Sequence, residues 1–152
     1  MKIALVSDEF YPVHNVVIDW LKDQGHQLFL FGALKSGHVE NSWVTPPFEA
    51  AQAIQRGNCH EGIFFCWTGT GVSIIANKVP GIRAALCTDA QTTRGARLWN
   101  HANVLALSNR LLSQDVAKEI LTAWFEEFDL QKGAAGVSEL KALEESIFQN
   151  KS

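Results

Sequence analysis

The stretch GIFFCWTGTGVSIIANK, residues Gly62–Lys78, joins a short apolar run to a helical pattern through a glycine-rich turn. The run Gly62–Cys66 is apolar on both faces, which is typical of a buried strand in a parallel sheet. Val72–Lys78 has helical spacing, and we expect this helix to end near Pro80. A strand followed directly by a helix is the repeating unit of α/β folds.

The same alternation recurs along the rest of the chain. Four further apolar runs predict strands at Lys2–Val6, Gln27–Phe31, Ile82–Cys87 and Asn103–Leu107. Further helices are predicted over Val13–Gln24, Pro46–Arg56, Ala90–Trp99, Ser113–Phe128 and Val137–Asn150, with an irregular loop at Gly32–Thr45 and a break at Gly133–Gly136. We therefore expect one α/β domain over 1–152, a three-layer α/β/α sandwich around a five-stranded parallel Rossmann-like sheet.

Composition and charge indicate an ordinary globular protein of 152 residues. A net charge of -3 offers no electrostatic basis for binding nucleic acid or an anionic membrane. The N-terminal run Ile3–Val6 is too short for a signal peptide or a membrane span. The three cysteines are odd in number and lack metal-ligand spacing. We expect a cytoplasmic protein with free thiols, without metal, cofactor, nucleic-acid or membrane partners.

The loop Cys66–Gly71 is the predicted chemical centre, because ligands bind beyond the carboxyl ends of parallel strands. Gly69 and Gly71 allow the backbone to approach a ligand, and the successive N–H groups can hold a phosphate or an oxyanion. Cys66 stands beside a predicted helix N-terminus, which favours a thiolate that acts as base or nucleophile. Thr68 adds a hydroxyl that can donate and accept.

The position of Cys66 is also compatible with two different roles. One is that of a buried structural cysteine in a tight turn, which is the role we prefer for Cys59 and Cys87. The second is that of a cysteine nucleophile in a hydrolase or phosphatase, although no arginine completes a C-x5-R pattern after Cys66.

Among the five histidines, His101 is a candidate acid–base group because it stands beside Asn100, although an exposed loop histidine is the commoner case. The others show no partner pattern and are predicted to be solvated: His14, His26, His38 and His60.

The block Gly62–Lys78, together with Gly81–Ala84 and Asn100–Leu107, resembles the ribose-5-phosphate isomerase B / galactose-6-phosphate isomerase family. The resemblance extends from the first strand to about Phe128. It implies an aldose–ketose isomerase of a small sugar or sugar phosphate that works through an enediolate and needs no metal. It also implies a homodimer or tetramer whose active site lies at a subunit interface, with the C-terminal helix extending to the partner.

The resemblance further implies a role for each site residue. Cys66 corresponds to the base that moves a proton between C1 and C2, and Thr68 to the threonine that moves one between O1 and O2. The resemblance also implies that the loop amides stabilise the enediolate. Asn100 and Arg110 would come from the partner chain. The implied substrate-binding positions are Asp8, Glu9, Trp43, Trp67, Gly69, Thr70, Gly71, Trp99, Asn100 and Arg110.

Several positions depart from the family pattern. Glu9 replaces a histidine that faces the phosphate, and a carboxylate repels a phosphate. Trp99 replaces a histidine that helps to open the sugar ring, and indole cannot exchange protons as imidazole does. Gly133 and Val137 stand where the family has two arginines that clamp the phosphate.

These departures predict a substrate different from ribose 5-phosphate: open-chain, short or lacking phosphate, such as a tetrose derivative. Trp43 and Trp67, which replace a tyrosine and a glycine, can stack with Trp99 on the apolar face of a sugar. Burial of Trp99 in a dimer interface is equally compatible with its position. A non-catalytic sugar-binding relative that kept the fold is the alternative to an isomerase.

Overall fold

The computed structural model describes residues 1–150. Within this range the strands are β1 Lys2–Ser7, β2 Gln27–Gly32, β3 Glu61–Cys66, β4 Ala84–Leu86 and β5 Val104–Ser108. The helices are α1 Pro12–Asp23, α2 Ala33–Ser36, α3 Thr45–Gln55, α4 Thr70–Ala76, α5 Ala90–Asn100, α6 Gln114–Trp124 and α7 Ala134–Gln149, with a 3-10 turn at Leu130–Gly133.

The strands form one parallel sheet in the order β2-β1-β3-β5-β4. Successive residues of β3 point to opposite faces, so that Phe65 packs into the core shared with α1, α5 and α6, and Phe64 into the core shared with α3 and α4. Burial on both faces explains why the strand is apolar throughout. The predicted three-layer architecture with a five-stranded parallel sheet is confirmed.

This strand order creates a crevice at the carboxyl edge of the sheet. The chain crosses from β1 to β2 on one side, whereas β3 lies on the other side of β1. Ligands in open α/β sheets bind at such a reversal point. Residues that directly follow β1 and β3 are therefore brought together there.

Helix positions follow from apolar spacing and end groups. In α1, Pro12 occupies the first turn, and Val13, Val17 and Leu21 bury one face. The Asp89 side chain caps α5 by accepting a hydrogen bond from the backbone N–H of Thr92 at 2.7 Å. No helix within residues 1–150 has the length and apolar character needed to cross a bilayer.

The fourth strand is shorter than predicted. It covers only Ala84–Leu86, because the Asn103 side chain occupies the backbone N–H of Arg83, the residue directly before it. Asn77 exchanges two hydrogen bonds with the backbone of Ala84, and Asn103 Oδ1 accepts from the Arg83 N–H at 2.8 Å.

Three other boundary predictions are wrong. The region predicted as an irregular loop, 32–45, contains the short helix α2. Helix α6 ends at Trp124 instead of Phe128. Residues 133–136 do not break the chain, since Gly133 ends the 3-10 turn and Gly136 lies inside α7.

Candidate active site

A cavity of about 400 Å³ opens at the carboxyl edge of the sheet, where the residues after β1 and β3 meet. Its lining residues are Asp8, Trp43, Cys66, Trp67, Thr68, Thr70, Gly71 and Ile74. Most of the glycine-rich loop therefore faces one cavity, together with the residue after β1. All of these residues except Ile74 are candidates from the sequence.

Cys66 ends β3 and is 7% exposed. Its carbonyl accepts a hydrogen bond from the Asn109 N–H at 2.9 Å. The next carbonyl, that of Trp67, accepts from Ser108 Oγ at 3.0 Å and from the Arg110 N–H at 3.1 Å. The end of β5 thus holds the start of the loop through three hydrogen bonds.

The two glycines of the loop meet different steric requirements. Gly69 has φ +75°, and a Cβ there would lie 2.5 Å from Leu86 Cδ1 and 2.9 Å from the Leu107 carbonyl carbon. A Cβ on Gly71 would lie 3.0 Å from the Trp43 ring and 3.8 Å from Cys66 Sγ. Gly69 therefore permits the turn, and Gly71 permits Trp43 to cover the loop beside the thiol.

Polar groups in the cavity are available to a ligand. Thr68 Oγ1 and Thr70 Oγ1 are 2.6 Å apart and share a hydrogen bond. Asp8 Oδ1 is buried and has no hydrogen-bond partner within residues 1–150. Burial also raises the pKa of the Asp8 carboxyl. Because buried acceptors are nearly always satisfied, Asp8 is well placed to accept a hydrogen bond from a ligand hydroxyl.

The apolar part of the cavity includes Ile74, a residue that the sequence patterns did not single out. Trp43, Trp67 and Ile74 are exposed large side chains, and all three line the cavity. Ile74 lies one helical turn after Thr70, and this spacing is the signal that points to it.

Glu9 does not line the cavity. Its carboxylate accepts a hydrogen bond from Tyr11 Oη at 2.6 Å, and this bond raises the pKa of Tyr11 to about 12. The Tyr11 ring lies 5.7 Å from the Trp67 ring, measured between centroids. Glu9 is therefore connected to the cavity wall through Tyr11 and Trp67.

Trp99 and Asn100 end α5 shortly before β5 begins, whereas the loop follows the carboxyl end of β3, so the two lie at opposite edges of the sheet. Asn100 lines a different cavity of about 390 Å³, together with Arg83 and Lys141. His101 adopts φ +46° and its Nε2 hydrogen-bonds to the Leu130 carbonyl at 2.9 Å, so this nitrogen is occupied.

Arg110 contacts the loop through its backbone only. It is an exposed residue, and it is absent from the cavity lining. Within one chain, Trp99, Asn100 and Arg110 therefore do not line the cavity beside Cys66.

The positions at which the resemblance places two arginines are interior positions here. Val137 is 4% exposed. A Cβ on Gly133 would lie 2.8 Å from the Trp99 carbonyl oxygen and would also overlap the Leu98 carbonyl oxygen. The backbone of the 3-10 turn is pressed against the end of α5, so a larger side chain at Gly133 requires the turn to move.

All three cysteines are free and buried. Burial raises the pKa of the Cys59 and Cys87 thiols, as expected of structural cysteines. Cys66 differs because it lines the cavity.

The prediction that His14 is solvated is wrong. The residue is 2% exposed, and its ring lies 4.5 Å from that of Phe65. Nδ1 accepts from the Tyr11 N–H at 3.3 Å, so Nε2 carries the proton and donates to Asn109 Oδ1 at 2.8 Å. Burial lowers the pKa of this imidazole, although the bond to Asn109 opposes the shift. Its place on the buried face of α1, three residues before Val17, is the signal that was missed.

His26 is also not fully solvated. It is half-buried, and its ring stacks on Phe125 at 4.5 Å. Burial lowers the pKa of His26 as well. His38 and His60 are exposed, as predicted.

Buried His14 is expected to make stability depend on pH. Unfolded histidine has a pKa near 6.5, and the native value is lower. Below pH 6.5 the unfolded chain therefore binds more protons, so the free energy of unfolding falls as the pH decreases. Urea unfolding between about pH 8 and about pH 5 measures this slope. The slope should be smaller in His14→Leu, which retains His26, and equal slopes in the two proteins would contradict the assignment.

The sequence and the fold of this chain are similar to those of known proteins. Residues 3–140 match the family described as ribose/galactose isomerase. The chain is 38% identical to D-erythrulose-4-phosphate isomerase of Pectobacterium atrosepticum, over 85% of this chain and 86% of that protein. It is 30% identical to 4-deoxy-4-sulfo-D-erythrose isomerase of a Clostridium species, over 98% of this chain and 99% of that protein. The ribose-5-phosphate isomerase B structure from Clostridium thermocellum superposes with a TM-score of 0.87 at 37% identity, covering 97% of this chain and 99% of that one.

Proposed function

The chain belongs to the ribose/galactose isomerase family, and we propose that it interconverts the aldose and ketose forms of a four-carbon sugar whose C4 carries no free hydroxyl. The main support is the cavity in which the Cys66 thiol, the Thr68 hydroxyl and the glycine-rich loop face Asp8 and Trp43. Relatives of this chain are sugar-phosphate isomerases, and the cavity contains the thiol and the hydroxyl that the proposed reaction uses.

In the proposed reaction Cys66 removes the proton from C2 of the aldose, and the electron pair moves onto the C1 carbonyl oxygen. The resulting enediolate is stabilised by the N–H groups of the loop, whose positions are set by the fold before the charge develops. Thr68 moves the hydroxyl proton from O2 to O1, and Cys66 returns its proton to C1. C1 is reduced and C2 is oxidised, so the reaction requires no other oxidant or reductant.

The size of the substrate is inferred from what the chain lacks. Trp99 stands where the family resemblance places a ring-opening histidine. A four-carbon aldose without a free C4 hydroxyl cannot close a furanose ring, so it needs no such acid. Two of the relatives are named for four-carbon substrates that carry a 4-phosphate or a 4-sulfo group.

Proton exchange in heavy water tests the proposal. Purified protein is incubated with erythrulose 4-phosphate, 4-deoxy-4-sulfoerythrose, unsubstituted erythrose, ribose 5-phosphate and galactose 6-phosphate, and deuterium at C1 and C2 is followed by NMR. We expect kcat/KM for a C4-substituted tetrose to exceed that for ribose 5-phosphate by about 100-fold or more. Comparable rates on ribose 5-phosphate would contradict the choice of substrate. Binding without exchange would instead support the non-catalytic alternative.

We also propose that a second copy of the chain completes the site. Trp99 and Asn100 are remote from Cys66 within one chain, and large apolar side chains remain exposed along α7 and beside it. These are Trp99, Leu140, Leu143, Ile147 and Phe148. Exposed apolar surface of this extent is typical of a protein–protein interface.

Mixing two inactive variants tests the shared site. Cys66→Ala and Asn100→Ala should each be inactive alone, since each damages every site of a homodimer. Co-refolding equal amounts should restore about a quarter of wild-type activity, because half of the dimers then contain one intact site. Failure of the mixture to regain activity, with dimers present by light scattering, would contradict this proposal.

A further inference from the structure

We propose that His14 and Asn109 are positioning residues that hold the Cys66 end of the catalytic loop in its active geometry. This inference rests on the proposed function, because it concerns the same thiol. His14 lies in α1 and Asn109 directly follows β5, so the pair joins two elements that are distant in sequence.

Two short hydrogen bonds connect His14 to Cys66 through Asn109. His14 Nε2 donates to the Asn109 side chain at 2.8 Å, and the Asn109 backbone N–H donates to the Cys66 carbonyl at 2.9 Å. The neighbours of Asn109, Ser108 and Arg110, hold the Trp67 carbonyl. A shift of the Asn109 backbone would therefore move both residues that begin the loop.

The Asn109 side chain has one polar partner within residues 1–150. It is 7% exposed, Oδ1 is bound to His14, and Nδ2 is buried without a hydrogen-bond partner. Loss of His14 would leave both ends of a buried amide unsatisfied, which is strongly unfavourable. The side chain would then turn toward solvent, and its backbone would follow.

A second contact supports the same wall of the cavity. The Tyr11 ring packs edge-on against His14, with centroids 5.8 Å apart, and also contacts Trp67. His14 itself does not line the cavity, and both of its ring nitrogens are bound within the protein. It is therefore suited to positioning and not to proton transfer with a substrate.

The test compares three variants of the full-length protein. His14→Leu removes both ring hydrogen bonds, whereas His14→Gln retains a donor for Asn109 and an acceptor for the Tyr11 N–H. Val17→Ala is the control, because Val17 is a fully buried residue of α1 that does not line the cavity. Each variant is assayed for kcat and KM, for thermal midpoint, and for the rate at which iodoacetamide alkylates Cys66, followed by peptide mass spectrometry.

We expect His14→Leu to lower kcat by about 10- to 100-fold with KM nearly unchanged, since a displacement of about 1 Å at a catalytic group has effects of this size. The Cys66 alkylation rate should also change by about tenfold, and His14→Gln should restore both quantities. Val17→Ala should change only the thermal midpoint. Equal effects of His14→Leu and Val17→Ala on kcat and alkylation, or no rescue by His14→Gln, would overturn the inference.

The alkylation rate separates this inference from the proposed function. If the wild-type protein isomerises no sugar, the proposed function fails, yet the alkylation rate still shows whether His14 controls the geometry of Cys66. An altered rate in His14→Leu, restored in His14→Gln and absent in Val17→Ala, would support positioning even then. An unaltered rate would overturn it.

Discussion

Replacing Cys66 by alanine is expected to lower kcat for aldose–ketose exchange by about 1,000-fold or more, since general acid–base groups contribute about 10²- to 10⁴-fold. Cys66 is the ionisable sulfur group in the cavity lining, and the Thr68 and Thr70 hydroxyls beside it are far weaker bases. The variant should still fold, because Cys66 lies where the core meets the cavity and alanine removes only its sulfur atom. NMR of C2 deuterium exchange measures the loss.

Two controls make the Cys66 result specific. Cys66→Ser preserves the size of the side chain but supplies a much weaker base, and it should be nearly as inactive as Cys66→Ala. Cys87→Ala removes a buried thiol directly after β4, outside the cavity lining, and should retain activity. Retention of more than about a tenth of wild-type kcat by Cys66→Ala would place the base elsewhere.

Gly69→Ala is expected to reduce both stability and activity. The backbone conformation at φ +75° costs an L-residue about 1–2 kcal/mol. The new Cβ also meets the Leu107 carbonyl carbon at 2.9 Å and the Ser108 nitrogen at 3.0 Å, both in the backbone of β5. Such overpacking adds about 1–3 kcal/mol, so that the free energy of unfolding should fall by about 2–5 kcal/mol in total. The loop must move away from β5, so kcat/KM should fall by about 100-fold.

Gly25→Ala is the matched control for Gly69→Ala. Gly25 has φ +79°, but a Cβ there would meet nothing within 4 Å. This substitution should therefore cost only the backbone strain, about 1–2 kcal/mol, and should leave kcat/KM unchanged. Urea unfolding and the exchange assay on both variants separate strain from displacement of the loop. Equal activity in the two variants would show that contact with β5 does not position the loop.

The local sequence pattern was sufficient to predict the fold class and the loop at the centre of the candidate site. Apolar runs such as 62–66 predict buried strands because parallel strands are covered on both faces. Parallel strands also predict that ligands bind beyond their carboxyl ends, and Asp8 and Cys66, which stand at the ends of β1 and β3, do line one cavity. The same pattern could not determine where β4 begins, because the side chains of Asn77 and Asn103 take over backbone hydrogen bonds there.

The alternation of strands and helices, the family resemblance and the loop Cys66–Gly71 could therefore be predicted without a structure, since they depend on local apolar spacing and on short motifs. The remaining features became visible only in the folded chain. Only packing shows that His14 is buried against Asn109, 95 residues away. Only packing shows that Gly133 is pressed against the end of α5 and that Asn100 lies far from Cys66. Helical spacing places His14 on the buried face of α1, but these features depend on which surfaces meet after the sheet closes, and spacing along the chain does not determine that.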